Sequence, residues 1–359
     1  MKTISGVHMS TFPTFPTDCT SLLCKHLTTE IFETLKDKKT ANGFTLEDAI
    51  RSGVENPDSG IGVYAGDLES YSLFAALFDP IIKEYHGFSA ADRHSSDLDP
   101  AHLNAPNPDP EGAYILSTRI RVGRNVANLP LGPAISMEQR NQVEQEVSTA
   151  LGTLAGALSG SYYPLEGMSE TVSRELIKDH FLFKAGDRFL ESAGLNRDWP
   201  EGRGIYHNDD KTFLVWINEE DQLRIISMQP GGDILEVFTR LTTAISEIER
   251  SVPFSYSKHL GYTTSCPTNL GTAMRASVHI KLPELSADME HFKTICDRHH
   301  LQIRGIHGEH SKSEGGIYDI SNKRRLGVTE VQCVQDMVDG VVELIAEEKG
   351  LQSTSSNRQ

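Results

Sequence analysis

The chain has 359 residues, 50 acidic against 34 basic side chains and a formal net charge of −16 at neutral pH. This length suffices for two domains with a sizeable core. An acidic surface excludes a general nucleic-acid binder and attraction to anionic membranes, because both require a basic surface. The sequence predicts neither a signal peptide nor a bilayer-spanning run, so we expect a cytoplasmic protein with no nucleic-acid or membrane partner.

Residues 1–17 are predicted to be a flexible tail, and residues 18–105 a small all-helical domain. Apolar residues recur at helical spacing from Leu22 to about Ser52 and from Ser70 to Tyr85. Between these segments, residues 55–67 hold three glycines and form a loop. It is either a plain surface loop or a ligand-binding loop, since glycine lets the backbone approach a small molecule closely.

A stretch rich in proline and asparagine, residues 104–110, predicts the boundary to a second domain over residues 106–359. That domain opens with an alternating segment, 113–122, which is typical of a strand. One face of this strand carries Leu116, Thr118, Ile120 and Val122. The other face carries Arg119 and Arg121, two like charges that need an anion or acids nearby unless they simply face solvent.

Strand-like segments at 212–218 and 223–228 flank a hairpin tip. The tip holds three consecutive acids, Glu219, Glu220 and Asp221. Acids at such a tip are most often solvent-exposed, but Arg224 follows at once, so an arranged cluster of acids and bases is the alternative. Helices are predicted over 234–248, 288–300 and 331–349, and a capping box at Ser136 begins a further helix.

The five cysteines form no CxxC pair, and their odd number predicts neither a disulfide scaffold nor a zinc site. This pattern favours a reducing compartment. The five are Cys19, Cys24, Cys266, Cys296 and Cys333. A lone cysteine is most often a small buried hydrophobe, but Cys266 is followed by a proline, hydroxyl side chains and Arg275, and this setting favours a functional thiol.

Several cations stand at predicted strand faces or in a glycine-rich segment, 304–316, whose composition suits a mobile lid. They are Arg119, Arg121, Arg224, Arg275 and Arg304. Arginine forks bind phosphate oxygens in pairs and keep their charge, so this set indicates a polyphosphate clamp. Neither a GxxxxGK[ST] loop nor kinase HRD and DFG motifs occur. Glu220 and Glu309 are then free to bind a guanidinium and accept its proton.

With these motifs the chain resembles the phosphagen (guanidino) kinase family, in its arginine-phosphorylating branch. The matching segments are STRIR at 117–121, NEED at 218–221, CPTNLGT at 266–272, RGIHGEH at 304–310, SEGG at 313–316 and DISNKRR at 319–325. The resemblance extends from about Cys19 to the C-terminal helix. It implies an α+β fold, with a small helical N-terminal domain and a larger domain built on an antiparallel sheet flanked by helices.

The resemblance implies reversible transfer of the γ-phosphoryl group of MgATP to the guanidinium of free L-arginine, by a monomer. The nucleotide-binding residues would be Arg119, Arg121, His180, Arg224, Arg275, His279 and Arg304, the two histidines lying against adenine. The substrate-binding residues would be Ser59, Gly60, Ile61, Gly62, Tyr64, Glu220, Cys266 and Glu309. Either glutamate would act as the base, and Cys266 would contact the guanidinium as a thiolate. Glu219 and Asp221 would hold water around Mg²⁺ rather than bind it directly.

Three details bear on the substrate and on alternatives. The short loop at 59–64 and Tyr85 favour L-arginine over taurocyamine, lombricine or creatine. The lid carries Ile306 and His307 where the family commonly has Thr and Arg, which affects rate and affinity more than reaction type.

A non-catalytic nucleotide-binding paralogue is the alternative of a different class, and the presence of all five arginines and both glutamates argues against it. Asp58 and Arg188 match a pair that joins the loop to the large domain.

Overall fold

The computed structural model describes residues 11–305 and 315–356. The helices are α1 Leu22–His26, α2 Thr29–Leu35, α3 Leu46–Glu55, α4 Leu68–Leu73, α5 Ala75–His86, α6 Met137–Leu151, α7 Glu170–Lys178, α8 Arg188–Ser192, α9 Ile234–Glu249, α10 Met289–Arg298 and α11 Glu330–Ser356. The strands are β1 Ile115–Arg124, β2 Gly160–Pro164, β3 Gly204–Asn208, β4 Phe213–Ile217, β5 Leu223–Pro230, β6 Tyr256–Ser257, β7 Gly261–Tyr262, β8 Met274–Lys281, β9 Leu301–Arg304 and β10 Ile317–Asn322. None of the helices in these ranges has the length and apolarity that a membrane crossing requires.

The first five helices pack around their own core, which includes Leu23, Phe32 and Phe78. The two helical segments predicted here are interrupted. Thr28 caps α2 by accepting a hydrogen bond from the Ile31 amide at 3.2 Å, which starts a new helix after α1. The second segment divides at Phe74, between α4 and α5. Apolar spacing continues across these two breaks, and so it did not reveal them. A third break, residues 36–45, separates α2 from α3, and a capping box at Thr45 starts α3.

The larger part of the chain is built on one eight-stranded antiparallel sheet, in the order β2-β3-β4-β5-β1-β8-β10-β9. Its core side is covered by α6, α9, α10 and α11, and the residues packed there are almost all aliphatic or aromatic. The α+β fold class is confirmed. The helix at 136 begins as predicted, because Ser136 and Gln139 form a reciprocal capping box.

A β-bulge changes the start of β1. The register slips between Ile115 and Ser117, so Ile115 is buried and Leu116 is 46% exposed. The alternation rule had placed Leu116 with the core residues and Ile115 with the arginines, which is wrong at both positions. A bulge adds one residue and thereby moves the side chains on one side of it to the opposite face. Beyond the bulge, Arg119 and Arg121 share a face as predicted.

One disulfide joins Cys19 and Cys24, where the cysteine count had predicted no disulfide scaffold. The five-residue separation spans the first turn of α1 and brings the two Cα atoms to 6.4 Å, within the range that a disulfide spans. Spacing along the chain did not reveal this proximity, because it depends on how the turn before α1 folds. The other three cysteines are buried free thiols.

The helical core continues onto the large domain, and the CPTNLGT segment lies at the contact between the two. Cys266 and Leu270 belong to the same apolar cluster as the N-terminal helices. The Tyr71 hydroxyl donates to the Thr264 carbonyl at 2.7 Å, and the Ala65 amide donates to the Ser265 carbonyl at 2.8 Å. The loop at 55–67 is therefore held against the segment that carries Cys266.

Candidate active site

The sheet register aligns the predicted phosphate-binding arginines on one face. Residues directly opposite in an antiparallel pair point to the same side of a sheet. Arg121 lies opposite Arg275 of β8, and Arg224 of β5 lies opposite Gly123, two residues beyond Arg121 on β1. With Arg119 two residues before Arg121, four arginines from three adjacent strands share the face opposite the helical core.

The same face continues across the next two strands. Asp319 of β10 is paired with His279 of β8 on one side and with Arg304 of β9 on the other. Arg275 Nη2 lies 2.6 Å from Asp319 Oδ1, and His279 Nε2 lies 3.3 Å from Asp319 Oδ2. Burial works to raise the pKa of Asp319, but the His279 and Arg275 contacts outweigh it and lower the pKa overall. Asp319 therefore stays ionised and anchors one end of the cationic row.

The centre of this row is crowded with positive charge. Burial lowers the pKa of Arg119 to about 10, and the charges of Arg224 and Arg275 add to this effect. The pKa of Arg121 is lowered further by burial and by the surrounding arginines. Cations held side by side repel one another, and a multiply charged anion placed between them relieves this repulsion. The geometry fits a ligand with several phosphates.

The hairpin between β4 and β5 brings its acids to the other end of the row. Arg224 Nη2 lies 2.8 Å from Glu219 Oε2 and 3.2 Å from Glu220 Oε2. Burial and the neighbouring Asp221 raise the pKa of Glu220 to about 7. Glu220 is therefore poised to exchange a proton near neutral pH, a property common among catalytic carboxylates.

Asp221 is buried beside Glu220, and its oxygens are already oriented. Asp221 Oδ1 accepts hydrogen bonds from Asn125 Nδ2 at 2.8 Å and from the Ser265 amide at 3.1 Å. Burial raises its pKa, and these two donors counteract that rise. The Ser265 amide directly precedes Cys266, so Asp221 also fixes the segment that carries the thiol.

Cys266 is a buried thiol. Burial and the charge of Glu220 raise its pKa to about 12, and its Sγ lies 3.1 Å from Thr268 Oγ1. The thiolate expected from the family resemblance is thus disfavoured here, because carboxylates rather than cations surround the sulfur. A guanidinium bound between Cys266 and Glu220 would supply the missing positive charge.

The loop at 55–67 is fastened from several sides. The Gly62 amide donates to Ser59 Oγ at 3.0 Å, and the Tyr64 amide donates to the Ala49 carbonyl of α3 at 2.9 Å. Gly62 has φ +78°, and a Cβ at Gly53 would lie 2.3 Å from the Gly62 carbonyl oxygen. Two glycines therefore allow the loop to lie directly on α3.

A cleft of about 840 Å³ is lined by the loop at 55–67, the hairpin between β4 and β5, and the arginine-bearing face of the sheet. The predicted residues lining it are Ser59, Gly60, Ile61, Tyr64, Arg121, Glu219, Glu220, Arg224 and Arg304. A small adjoining cavity of about 30 Å³ is bounded by Arg121, Glu220, Asp221 and Arg275. Gly62 is a buried residue of the loop and does not line the cleft. Cys266 is also buried, and its sulfur contacts Thr268, which lines the cleft together with Asn269.

Other predicted residues do not line this cleft. His180 is exposed at the end of α7, immediately before Phe181, which packs with Ile226 on the arginine-bearing side of the sheet. Glu309 and most of the lid, with Ile306 and His307, lie outside the described residues. The Asp58–Arg188 contact is confirmed, with Arg188 Nη1 2.9 Å from Asp58 Oδ1.

Arg325 and Asn269 are functional candidates that the sequence did not single out. Arg325 Nη1 donates to the Thr268 carbonyl at 2.9 Å and to Asn269 Oδ1 at 2.7 Å. Asn269 Nδ2 in turn lies 3.4 Å from Glu220 Oε1. This chain of contacts orients Glu220 from the side opposite Arg224. The DISNKRR match pointed to Arg325, but no pattern assigned it a partner.

Comparison with known proteins identifies the class. Residues 17–83 match the ATP:guanido phosphotransferase N-terminal domain, and residues 142–351 match the ATP:guanido phosphotransferase C-terminal catalytic domain. The chain belongs to the ATP:guanido phosphotransferase family. It is 58% identical over 335 residues to arginine kinase Lit v 2 of Penaeus vannamei, covering 93% of this chain and 94% of the relative. It is 59% identical over 333 residues to an arginine kinase of Anthopleura japonica, covering 92% of this chain and 46% of that protein.

Solved structures of the family share the fold. A lombricine kinase superposes with a TM-score of 0.91 at 40% identity, covering 97% of this chain and 96% of that one. A duplicated taurocyamine kinase from Schistosoma mansoni, with bound components of a transition-state analogue, superposes with a TM-score of 0.86 at 44% identity. That match covers 93% of this chain and 47% of the duplicated one.

Proposed function

We propose that this chain catalyses the reversible transfer of the γ-phosphoryl group of MgATP to the guanidinium of free L-arginine, giving phosphoarginine and ADP. One observation carries the proposal: arginines from adjacent strands share one sheet face, and Arg121, Arg224 and Arg304 of this set line the same cleft as Glu220. The high identity to arginine kinases over nearly the full chain supports the choice of L-arginine.

The arginine row is proposed to hold the nucleotide phosphates, with His180 and His279 against the adenine. Phosphoryl transfer depends mainly on positioning and on neutralising charge. Because the arginines are fixed by the sheet, they need little rearrangement as negative charge redistributes in the transition state. Arg304, at the end of β9, would link the bound phosphates to the lid that follows it.

Glu220 is proposed to grip the guanidinium and to take its proton. As the nitrogen–phosphorus bond forms, the bond between Pγ and the leaving ADP oxygen breaks, and one guanidinium proton passes to a carboxylate. A pKa of about 7 lets Glu220 accept that proton and return it in the reverse reaction. Glu309 is proposed as the second carboxylate, and either glutamate serves as the base.

The remaining site residues are proposed to orient the substrate. Cys266 would contact the guanidinium, and the loop residues Ser59, Gly60, Ile61, Gly62 and Tyr64 would hold the amino-acid end. Loop and thiol already lie together, since the Ala65 amide donates to the Ser265 carbonyl. Closure of the lid at 304–316 would exclude water and so limit ATP hydrolysis.

Glu219 and Asp221 fit a role beside Mg²⁺ without binding it directly. Asp221 already accepts two hydrogen bonds from protein donors, and Glu219 is paired with Arg224. Such carboxylates suit water molecules of a hydrated ion better than a dehydrated one. When bound with ATP, the ion would neutralise phosphate charge. We further propose that the enzyme is a cytoplasmic monomer, with domains at 18–105 and 106–359.

The first test is ADP release with MgATP against L-arginine, D-arginine, creatine, taurocyamine and lombricine. We expect turnover with L-arginine alone, and its loss in a Glu220→Gln variant that still binds ATP. Turnover with another guanidine instead would assign the chain to a sister activity, a candidate favoured by its likeness to lombricine and taurocyamine kinases. ATP binding without turnover on any guanidine would indicate a non-catalytic paralogue.

A further inference from the structure

We propose that Cys19 and Cys24 form a thiol–disulfide exchange site that controls the substrate loop, with a low-molecular-weight thiol such as glutathione as the reaction partner. The kinetic readout of this inference rests on the proposed function. The pair lies at the start of α1, outside the cleft, and is joined by a disulfide. Nothing in the phosphoryl-transfer chemistry requires these two sulfurs.

The turn closed by this disulfide is the turn that supports the loop. The Leu22 amide donates to the Gly60 carbonyl at 3.1 Å, and the Leu23 amide donates to the Ile61 carbonyl at 3.0 Å. Both amides lie between the two cysteines. Cys19 Sγ also lies 3.3 Å from the Pro57 carbonyl oxygen, so the bridge touches the beginning of the loop directly.

The disulfide braces the start of the helix as well. Ser21 caps α1 by accepting a hydrogen bond from the Cys24 amide at 3.2 Å. Reduction would remove the covalent constraint on residues 19–21 and leave hydrogen bonds, among them this cap, to hold them. A segment that can move more freely holds its hydrogen-bond partners less tightly. The loop at 59–61 would then spend less time in the conformation that receives the substrate.

Accessibility separates this pair from the other cysteines. Cys19 and Cys24 are both partly exposed, whereas Cys266, Cys296 and Cys333 are buried. Burial raises the pKa of each of these three thiols to about 12, which leaves little reactive thiolate at neutral pH. A soluble thiol can therefore reach the Cys19–Cys24 bridge, whereas glutathione disulfide meets little thiolate at the three buried sulfurs.

The exchange is balanced by two molecules of glutathione. The thiolate of the first attacks one sulfur of the bridge, so the Cys19–Cys24 bond breaks and a mixed disulfide forms. The second attacks the mixed disulfide, releasing glutathione disulfide. Each protein thiolate takes up a proton, and the bridge is reduced to two thiols while glutathione is oxidised. Glutathione disulfide reverses both steps.

The expected effect is selective for the guanidino substrate. If reduction lowers the competent fraction of the loop to about one third, the KM for L-arginine rises about threefold. The KM for ATP stays unchanged, because the arginine row is held by the sheet and not by α1. A general loss of stability would instead lower kcat and affect both substrates.

In the experiment, the full chain is equilibrated in buffers that contain a series of ratios of reduced to oxidised glutathione. This ratio sets the redox poise. Rapid alkylation followed by mass spectrometry gives the state of Cys19 and Cys24, steady-state kinetics gives both KM values, and hydrogen exchange reports the Leu22 and Leu23 amides. Wild type should show faster exchange at these amides and a higher KM for L-arginine as the bridge is reduced. The double variant Cys19→Ser/Cys24→Ser, which has no thiol at this site to form a mixed disulfide, should show the reduced-state values at every poise.

Two results would overturn the proposal: hydrogen exchange at Leu22 and Leu23 that is the same in both redox states, or a response to poise that the double variant Cys19→Ser/Cys24→Ser retains. The second would place the sensitive thiol elsewhere, such as at Cys266. If no guanidine is phosphorylated, the proposed function fails, yet alkylation and hydrogen exchange still decide whether the exchange site exists.

Discussion

Glu220 lies where the arginine row meets the hairpin between β4 and β5. Its carboxylate sits between Arg224 on one side and the Asn269–Arg325 pair on the other. Burial nevertheless outweighs these favourable partners and raises its pKa to about 7. The hairpin sequence indicated an acid–base cluster only as an alternative to solvent-exposed acids, because burial at a hairpin tip depends on which elements fold over it.

The pH dependence of kcat/KM tests the role of Glu220. The carboxylate form accepts the proton, so kcat/KM for phosphorylation of L-arginine should rise as pH increases through about 7. Glu220→Gln should lower activity by about 10²–10⁴-fold and remove this rise. A rise that persists in the variant would assign the titration to another group.

The same shift affects stability with the opposite sign. A carboxyl group whose pKa is raised on folding binds its proton more tightly in the folded state. Its contribution is fully present below the ordinary pKa of 4.5 and is lost as pH rises through about 7. Unfolding by urea at pH 5 and pH 8 should therefore show a smaller difference for Glu220→Gln than for wild type.

We expect the charge of Arg121 to lower the stability of the folded protein while it strengthens the binding of ATP. Its neighbouring charges include Arg224, Arg119 and Arg275, which lower its pKa together with burial. Arg121→Met removes the cation but keeps much of the apolar stem. We expect a higher melting temperature without nucleotide, a smaller rise on adding ATP, and kcat lower by about 10²-fold. A variant that melts below wild type in the absence of nucleotide would contradict the repulsion argument.

At the scale of elements, the loop at 55–67 packs directly against α3. This close packing depends on the contact between two glycines, Gly53 and Gly62. Gly53→Ala would place a Cβ 2.3 Å from the Gly62 carbonyl oxygen. We expect a loss of about 1–3 kcal/mol in the free energy of unfolding from this overpacking, and a raised KM for L-arginine. Gly60→Ala is the matched control for stability, since a Cβ there meets nothing within 4 Å. Equal losses in both variants would contradict the argument.

The elements also show where sequence reasoning succeeds. Alternation predicted β4 and β5 to within a residue or two at most ends, and the capping box at Ser136 located the start of α6. The alternation rule missed β2 at Gly160–Pro164, a short strand with a glycine and a proline at its ends. It also misplaced Leu116, because a bulge leaves no mark on the polar–apolar pattern.

Whole-molecule features were the hardest to predict from the residues alone. The row of arginines depends on the register of five strands that are distant in sequence. The sequence grouped these arginines as a phosphate-binding set, and the family resemblance assigned them to one nucleotide site, but neither gave the register that aligns them. The contacts of Arg325 with Thr268 and Asn269 cross more than fifty residues of chain in the same way, and no local pattern encodes them.

The contact between the two domains gives a whole-molecule prediction. The Tyr71 hydroxyl and the Thr264 carbonyl meet at 2.7 Å in a buried seam. Tyr71→Phe leaves that carbonyl without its donor and should cost about 1–3 kcal/mol. Because the apolar cluster spans the seam, calorimetry should show one unfolding transition at a lower temperature. Two separated transitions in the variant would mean that the domains unfold independently.

The crowded arginine face also links the lifetime of the protein to its ligand. Without an anion, the folded chain keeps unbalanced like charges together, whereas the unfolded chain lets them separate. The nucleotide that we propose to bind here would act as their counter-ion, and a ligand that binds only the folded state stabilises it more as its concentration rises. In a cell depleted of adenine nucleotides, more of this enzyme would be exposed to proteases, so the supply of ATP would help to set how much enzyme survives.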